Sequence, residues 1–275
     1  QLQHGGENVH DELKILTLPQ LTSGQDWRLT LAHERQAHLL FWITRGQGLM
    51  LLDGQRRGVG THNAILVPAG HLFAMELGRQ AVGQVVVVPE GADLQMPRLP
   101  VQLRIREADA MSELTTLMEA ATREQQKARP LSKQAMEAHV SLISVWLQRQ
   151  MASEEHVQGR PNAAARLSAK YCHRIAAHFR DPLTMGDHAE ALGVTPTHLT
   201  RACKAATGKT AADLLTERVL YEARDLLART NVPAQDIARH LGFGSAAYFT
   251  RFMQHHTKFT PTGLRKRAQT RPAAA

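Results

Sequence analysis

Between Leu13 and about Val101 the apolar positions fall in short runs, at 39–44, 49–52, 64–67, 72–77 and 85–88. Arg45-Gly46-Gln47-Gly48, Asp53-Gly54, Pro68-Ala69-Gly70 and Gly78 separate them. Short apolar runs bounded by turn formers predict strands. Asp53-Gly54 predicts a hairpin, because both central residues of a type I′ turn need positive φ. So many short strands predict a small β-barrel or sandwich, with an interior wide enough for one small ligand. One of two alternating sets lines that interior: His38, Leu40, Trp42 and Thr44, or Leu39, Phe41, Ile43 and Arg45.

The period then lengthens. Residues 110–128 carry Leu114, Leu117, Met118 and Ala121 at three- and four-residue spacing, and 131–151 carry Met136, Val140, Ile143, Val145 and Leu147. Both read as amphipathic helices, broken apart at Arg129-Pro130. The first stripe suits either a dimer seam or packing on the chain's own barrel. Charge-rich 153–162, with Gly159 and Pro161, reads as an exposed linker, and the start to about Asn8 reads as disordered or artificially added sequence. Helices fill the remainder, at about 164–179, 184–192, 196–206, 210–228, 233–241 and 245–255, with a short one from Pro261. Pro196 and Pro233 fit first-turn positions, and Thr195 fits an N-cap.

The helical half contains a repeat. Ala189-Glu190-Ala191-Leu192-Gly193 followed by Leu199-Thr200-Arg201 returns as Ala238-Arg239-His240-Leu241-Gly242 followed by Phe249-Thr250-Arg251. Each copy reads as helix, glycine turn, helix: a small residue for close approach, a glycine for positive φ, and an apolar anchor. Arg201 and Arg251 follow their anchors by two residues and face outward, unless an acidic residue of the connecting helix pairs with them.

Charge sharpens that picture. Residues 160–275 hold 18 Lys+Arg against 8 Asp+Glu, whereas 1–159 hold 15 against 17. Positive charge gathered on a duplicated helical motif predicts a nucleic-acid partner held largely through phosphate neutralisation. Two cysteines in 275 residues exclude a disulfide framework or a Cys-rich zinc site, and no apolar run reaches a membrane span. Cys172 and Cys203 suit core positions better than redox sensing. The chain opens on Gln1 rather than Met, so a trimmed start stays open. A reducing, cytoplasmic setting is the expectation.

Thr195-Pro196-Thr197-His198-Leu199-Thr200-Arg201, the turn Leu241-Gly242-Phe243, the run Tyr248-Phe249-Thr250-Arg251-Phe252 and the close Thr260-Pro261…Leu264-Arg265 together resemble the DNA-binding domain of AraC/XylS-type transcription regulators over roughly 164–268. Lys258 and Cys203 stand where that family commonly has glycine and phenylalanine. Gln47-Gly48, Asp53-Gly54 and Pro68-Ala69-Gly70-His71 are similar to the cupin-type sensor barrel such regulators often carry. The expected fold is therefore α+β with two domains: a cupin-like barrel over 9–109, amphipathic helices over 110–152 as a dimerisation candidate, a linker over 153–163, and a tandem helix-turn-helix domain over 164–268.

The resemblance implies two recognition helices entering successive major grooves of double-stranded DNA, in an activator or repressor that also forms a homodimer and meets RNA polymerase. Burial of Leu199 and Cys203 leaves Thr197, Thr200, Arg201 and Lys204 outward; burial of Phe249 and Phe252 leaves Ala246, Ala247, Thr250 and Arg251 outward. Arginine pairs with guanine, and Ala and Thr methyls meet the thymine methyl. Arg201 and Thr250 are the expected base readers; Lys204, Lys209 and Arg265 are the expected phosphate contacts.

A small-molecule effector, aromatic or carboxylated, is expected in the barrel near His38, Trp42, His71 and Phe73. Cupin enzymes use a His-x-His pair, a Glu and a later His. Here His33 and His38 are five apart, on opposite strand faces, and Phe73 takes the place of the later ligand. With no metal or cofactor expected, an enzyme is not the leading reading. Two alternatives stand beside it: a cupin-like metal enzyme fused to a DNA-binding module, and an architectural protein that binds DNA without an effector.

Overall fold

The computed structural model describes residues 12–127, 129–153 and 161–270. The expectation for the first eight residues lies outside them, as does that for most of the linker. Eight strands, β1 (Lys14–Thr17), β2 (Ala37–Arg45), β3 (Gly48–Leu52), β4 (Gln55–Val59), β5 (Asn63–Val67), β6 (Phe73–Leu77), β7 (Val82–Pro89) and β8 (Val101–Arg104), form two antiparallel sheets. Their orders are β1-β7-β2-β5-β8 and β4-β3-β6. Short helices α1 (Leu18–Thr22) and α2 (Trp27–Thr30) lie between β1 and β2.

Asp53 and Gly54 both take positive φ, at 50° and 65°, and Leu52 pairs with Gln55, so the hairpin turn is the one the sequence predicts. The sheets face each other but do not close into one barrel. β8 pairs with β5 and β4 with β3, and no strand ladder joins these outer strands among the described residues; the Gln102 side chain reaches across, its Nε2 donating to the Gly58 carbonyl at 2.7 Å.

Alternation along β2 decides what fills each face. Leu39, Phe41 and Ile43 point between the sheets, packed with Met50, Leu52, Phe73 and Met75. Leu40 and Trp42 point the other way, under α3 (Ala108–Lys127) and α4 (Ser132–Ala152). Leu114, Met118 and Ala121 are fully buried in that second core, so the stripe on α3 packs on the chain's own sheet.

The helical half comprises α5 (Ala163–His178), α6 (Met185–Ala191), α7 (Pro196–Thr207), α8 (Ala211–Arg229), α9 (Ala234–His240), α10 (Ala246–Thr257) and α11 (Pro261–Gln269). Side-chain caps start most of them. The Thr184, Thr195, Thr210, Ser245 and Thr260 hydroxyls each accept a backbone N–H of the first turn. Gly193 and Gly242 turn each hairpin with φ of 69° and 77°. Gly208 ends α7 in the left-handed region, and Lys258 ends α10 the same way at φ 67°. Lysine therefore adopts the left-handed conformation that ordinarily favours glycine.

A third core joins the halves. Leu51 and Ala74, on the outer face of the three-stranded sheet, pack with Ala32 and Leu72 into a cluster that includes Tyr171, Cys172, Cys203 and Leu214. The hairpin tip meets α5 so closely that a Cβ on Gly54 would stand 2.3 Å from the Ala169 nitrogen.

Candidate nucleic-acid interface and effector cavities

The two helix-turn-helix units have the same internal logic. In the first, Ala189 and Leu199 are fully buried, and Thr195 Oγ1 accepts the His198 N–H at 3.2 Å to start α7. In the second, Ala238 and Phe249 are buried, and Ser245 Oγ accepts the Tyr248 N–H at 3.1 Å to start α10. With these anchors fixed, Thr197, Arg201 and Lys204 are exposed on α7 and Thr200 is half-buried. On α10, Ala246, Ala247 and Arg251 are exposed and Thr250 is half-buried. Among the described residues neither Arg201 nor Arg251 joins an ion pair, so the internal bridge open to them from sequence is not formed.

Three expected contacts have internal partners. Lys209 Nζ lies 2.6 Å from the Glu217 carboxylate, in the turn between α7 and α8. Arg265 donates to the Val232 and Leu227 carbonyls, which ties α11 to the end of α8. Thr250 Oγ1 donates to the Ala246 carbonyl at 3.0 Å, one helical turn back. For Lys209 and Arg265 the physical reason is location: each sits beside backbone or carboxylate oxygens of α8 rather than on an outer recognition face.

The four expected effector contacts separate. Phe73 is in the core between the sheets. Trp42 is in the core under α3 and α4, its Nε1 buried without a hydrogen-bond partner. His38 and His71 do share a cleft of about 750 Å³, with Glu90, Met96 and Arg98. His38 Nδ1 accepts the Ala69 N–H at 3.3 Å, and burial holds its pKa below the usual imidazole value. With Nδ1 accepting, the neutral ring carries its proton on Nε2. His71 meets His173 of α5 edge-on at 4.8 Å, so this cleft also touches the helical half. Among the described residues no group of three or more His, Cys, Asp or Glu side chains is arranged to hold a metal.

Both thiols are buried, and burial raises them, Cys203 to about 11, so neither supplies a reactive thiolate. No helix among the described residues is long and apolar enough to cross a membrane.

Sequence reasoning missed a second cavity, of about 430 Å³, at the seam between the halves. Trp27 comes from the β half, Arg224 from α8, Phe259 from the turn after α10, and Leu264 and Arg267 from α11. The Arg224 guanidinium lies 4.5 Å from the Trp27 ring centroid and that of Arg267 lies 4.1 Å from Phe259. Burial, with Arg28 nearby, lowers the Arg224 pKa to about 10, and among the described residues Arg224 has no ion pair. A cation on an aromatic ring, desolvated and unneutralised, is a standing invitation to an anion. Nothing in the local spacing of these residues brings them together; only the docking of the halves does.

Comparison with known proteins gives three findings. A helix-turn-helix domain model matches residues 188–267. An uncharacterized HTH-type transcriptional regulator, YfiF of Bacillus subtilis (strain 168), is 24% identical over 240 residues, covering 81% of this chain and 74% of that protein. Among solved structures, unsaturated-fatty-acid-bound ToxT from Vibrio cholerae aligns over 96% of this chain and 99% of its own, at 12% identity and a TM-score of 0.42. An AraC-type DNA-binding-domain-containing regulator from Chromobacterium violaceum aligns over 40% of this chain and 99% of its own, at 27% identity and a TM-score of 0.36.

Proposed function

We propose that the chain, a helix-turn-helix transcription regulator, is of the AraC type, that it reads a two-part operator with α7 and α10, and that it answers to an organic acid bound at the seam between its halves. The observation that carries the DNA reading is the pair of exposed recognition faces with unpaired arginines at equivalent places, Arg201 and Arg251. Arg201 and Arg251 take base edges; Thr197, Thr200 and Thr250, with the Ala246 and Ala247 methyls, fill in around them; Lys204 takes phosphate. Lys209 and Arg265 brace the turn and the last helix instead, since a carboxylate holds Lys209 and backbone carbonyls hold Arg265.

For the effector, the seam cavity fits better than the space between the sheets, which Phe41, Met50 and Phe73 fill. Two guanidiniums on aromatic rings beside Leu264 suit one carboxylate on an apolar or aromatic body. The His38/His71 cleft supports a second reading, with a more polar ligand held by His38 Nε2–H and Arg98. The cupin-like part of the reading rests on the two facing sheets, and the regulator is not an enzyme; stoichiometric metal in purified protein would instead favour a cupin-like metal enzyme. A homodimer, if formed through the helical layer, uses the outer face of α4, where Leu142 and Val145 are exposed.

Selection of a duplex from a random library by the full chain, followed by Arg201→Ala, tests the DNA reading. The substitution is expected to remove about 1–3 kcal/mol of discrimination between the selected and a scrambled duplex. Equal loss on both demotes Arg201 to a phosphate contact. A thermal-shift panel of carboxylic acids tests the effector reading: an acid at about 100 times its Kd adds about 2.7 kcal/mol of stability, and Arg224→Ala is expected to abolish the shift.

A further inference from the structure

α8 joins the two readers, and one stretch of the β half, residues 28–34, grips it. Glu34 holds Arg218 with two charge-assisted hydrogen bonds, from Nε and Nη2, both at 2.5 Å. The Ala32 N–H donates to Glu217 at 3.2 Å, His33 stacks on Tyr221 at 4.0 Å with planes 7° apart, and Arg28 pairs with Asp225 at 2.7 Å. Positions 217, 218, 221, 222 and 225 lie on one helical face, so the grip runs along two turns of α8. Arg218 and Glu34 side chains are 3% and 9% exposed, and Arg218 also pairs with Glu222, which Arg180 completes from beyond α5.

The second reader hangs from that helix, whereas the first also packs on the β half, with Cys203 in one core with Leu51 and Ala74, so movement of α8 against the β half changes the distance between them. Tyr171 of α5 donates its hydroxyl to the Ala211 carbonyl at 2.9 Å, tying the first unit to the beginning of α8. Arg265 of α11 donates to the Leu227 carbonyl, tying the second unit to its end. A buried ion pair adds little stability over an apolar pair of the same size, but its geometry is directional. Apolar packing alone would let α8 roll or slide against the sheet; a two-pronged guanidinium–carboxylate contact allows one register.

We propose that Glu34 is a positioning residue for DNA recognition: by holding Arg218 it fixes α8 against the β half and so sets the separation of the two recognition helices along the duplex. This rests on the two-part operator reading above. Two linked readers gain affinity only when their separation matches the two half-sites, so loosening α8 lowers the benefit of having both.

The test uses the full chain and a duplex selected by the wild type from a random library. Affinity is measured on that duplex, on duplexes keeping one half of the footprint, and on duplexes with one or two base pairs inserted between the halves. For Glu34→Gln, the ratio of intact-duplex to half-duplex affinity is expected to fall by about tenfold, half-duplex affinity to stay within about twofold, and inserted base pairs to be better tolerated. The ratio does not depend on how much of the sample is folded, so a destabilised variant still gives an answer. Arg28→Gln, which removes the outer pair with Asp225, is expected to move the ratio the same way by less. An unchanged or increased ratio in both variants overturns the proposal. Failure of the wild type itself to prefer the intact duplex instead removes the two-part reading on which it stands.

Discussion

The first and second readers share a pattern but not an anchorage. α7 and its partner α5 pack against the β half, where Cys203 lies in the same core as Leu51 and Ala74 and Gly208 lies beside Arg56 of β4. The second unit is held by α8, by α11, and by its own aromatic cluster, in which Phe243 meets Tyr248, Phe249 and Phe252 at 5.1–5.7 Å. The chemistry divides the same way. α7 offers Thr197, Arg201 and Lys204, whereas α10 opens with Ala246 and Ala247 and adds Arg251. A change in the β half therefore reaches the first reader directly and the second mainly through α8.

Substitutions that break this contrast are graded. The largest effect is expected for Phe249→Ala, which opens a cavity in the less supported unit at a cost of about 3–5 kcal/mol. Hydrogen exchange should show α9 and α10 losing protection while α6 and α7 keep theirs; uniform loss would mean that the units unfold together. Next come Thr195→Ala and Ser245→Ala, each about 1 kcal/mol from a lost N-cap, with the Ser245 loss the more visible in DNA binding because less else holds α10. Lys258→Gly is expected to raise the melting point by relieving up to about 1 kcal/mol of left-handed backbone cost, where Gly208→Ala lowers it.

A smaller effect is the response to acid. Burial, then Arg174, lowers the pKa of His188, whose Nδ1 accepts the Arg174 Nε–H at 3.2 Å. The folded first unit binds its proton less readily than the unfolded chain, so this contribution is fully present above the unfolded value, about 6.5, and is lost as pH falls through the folded one. Melting points between pH 7 and pH 5 should fall less steeply in His188→Gln; parallel curves would place the sensitivity elsewhere.

How far the chain could be read beforehand depended on the range of the signal. Thr195, Gly193 and Leu199 announce their roles within ten residues, and α6, α7, α9 and α10 end close to where the repeat puts them. Asp53-Gly54 likewise names its own turn. Closure of the sheets was not legible, because whether β4 meets β8 is decided by pairing between strands more than forty residues apart. Nor was the grip on α8. Glu217, Arg218, Glu222 and Asp225 look in sequence like the solvated face of any long helix, and nothing in the residues around Glu34 marks it as their partner. Their burial follows from the docking of two halves, which no local pattern encodes. Lys209 and Arg265 show the same limit: in sequence they are basic residues beside a reader, and only the fold brings the Glu217 carboxylate and the Val232 carbonyl against them.

The core shared by the two halves bears on how the protein can be handled. Leu51, Leu72 and Ala74 are buried by helices of the other half, not by strands of their own. Severing the chain near residue 160 would turn that cover into two bare greasy faces. The pieces are expected to precipitate or stick to each other at concentrations where the whole chain stays clear, and co-expressed fragments to purify as a pair.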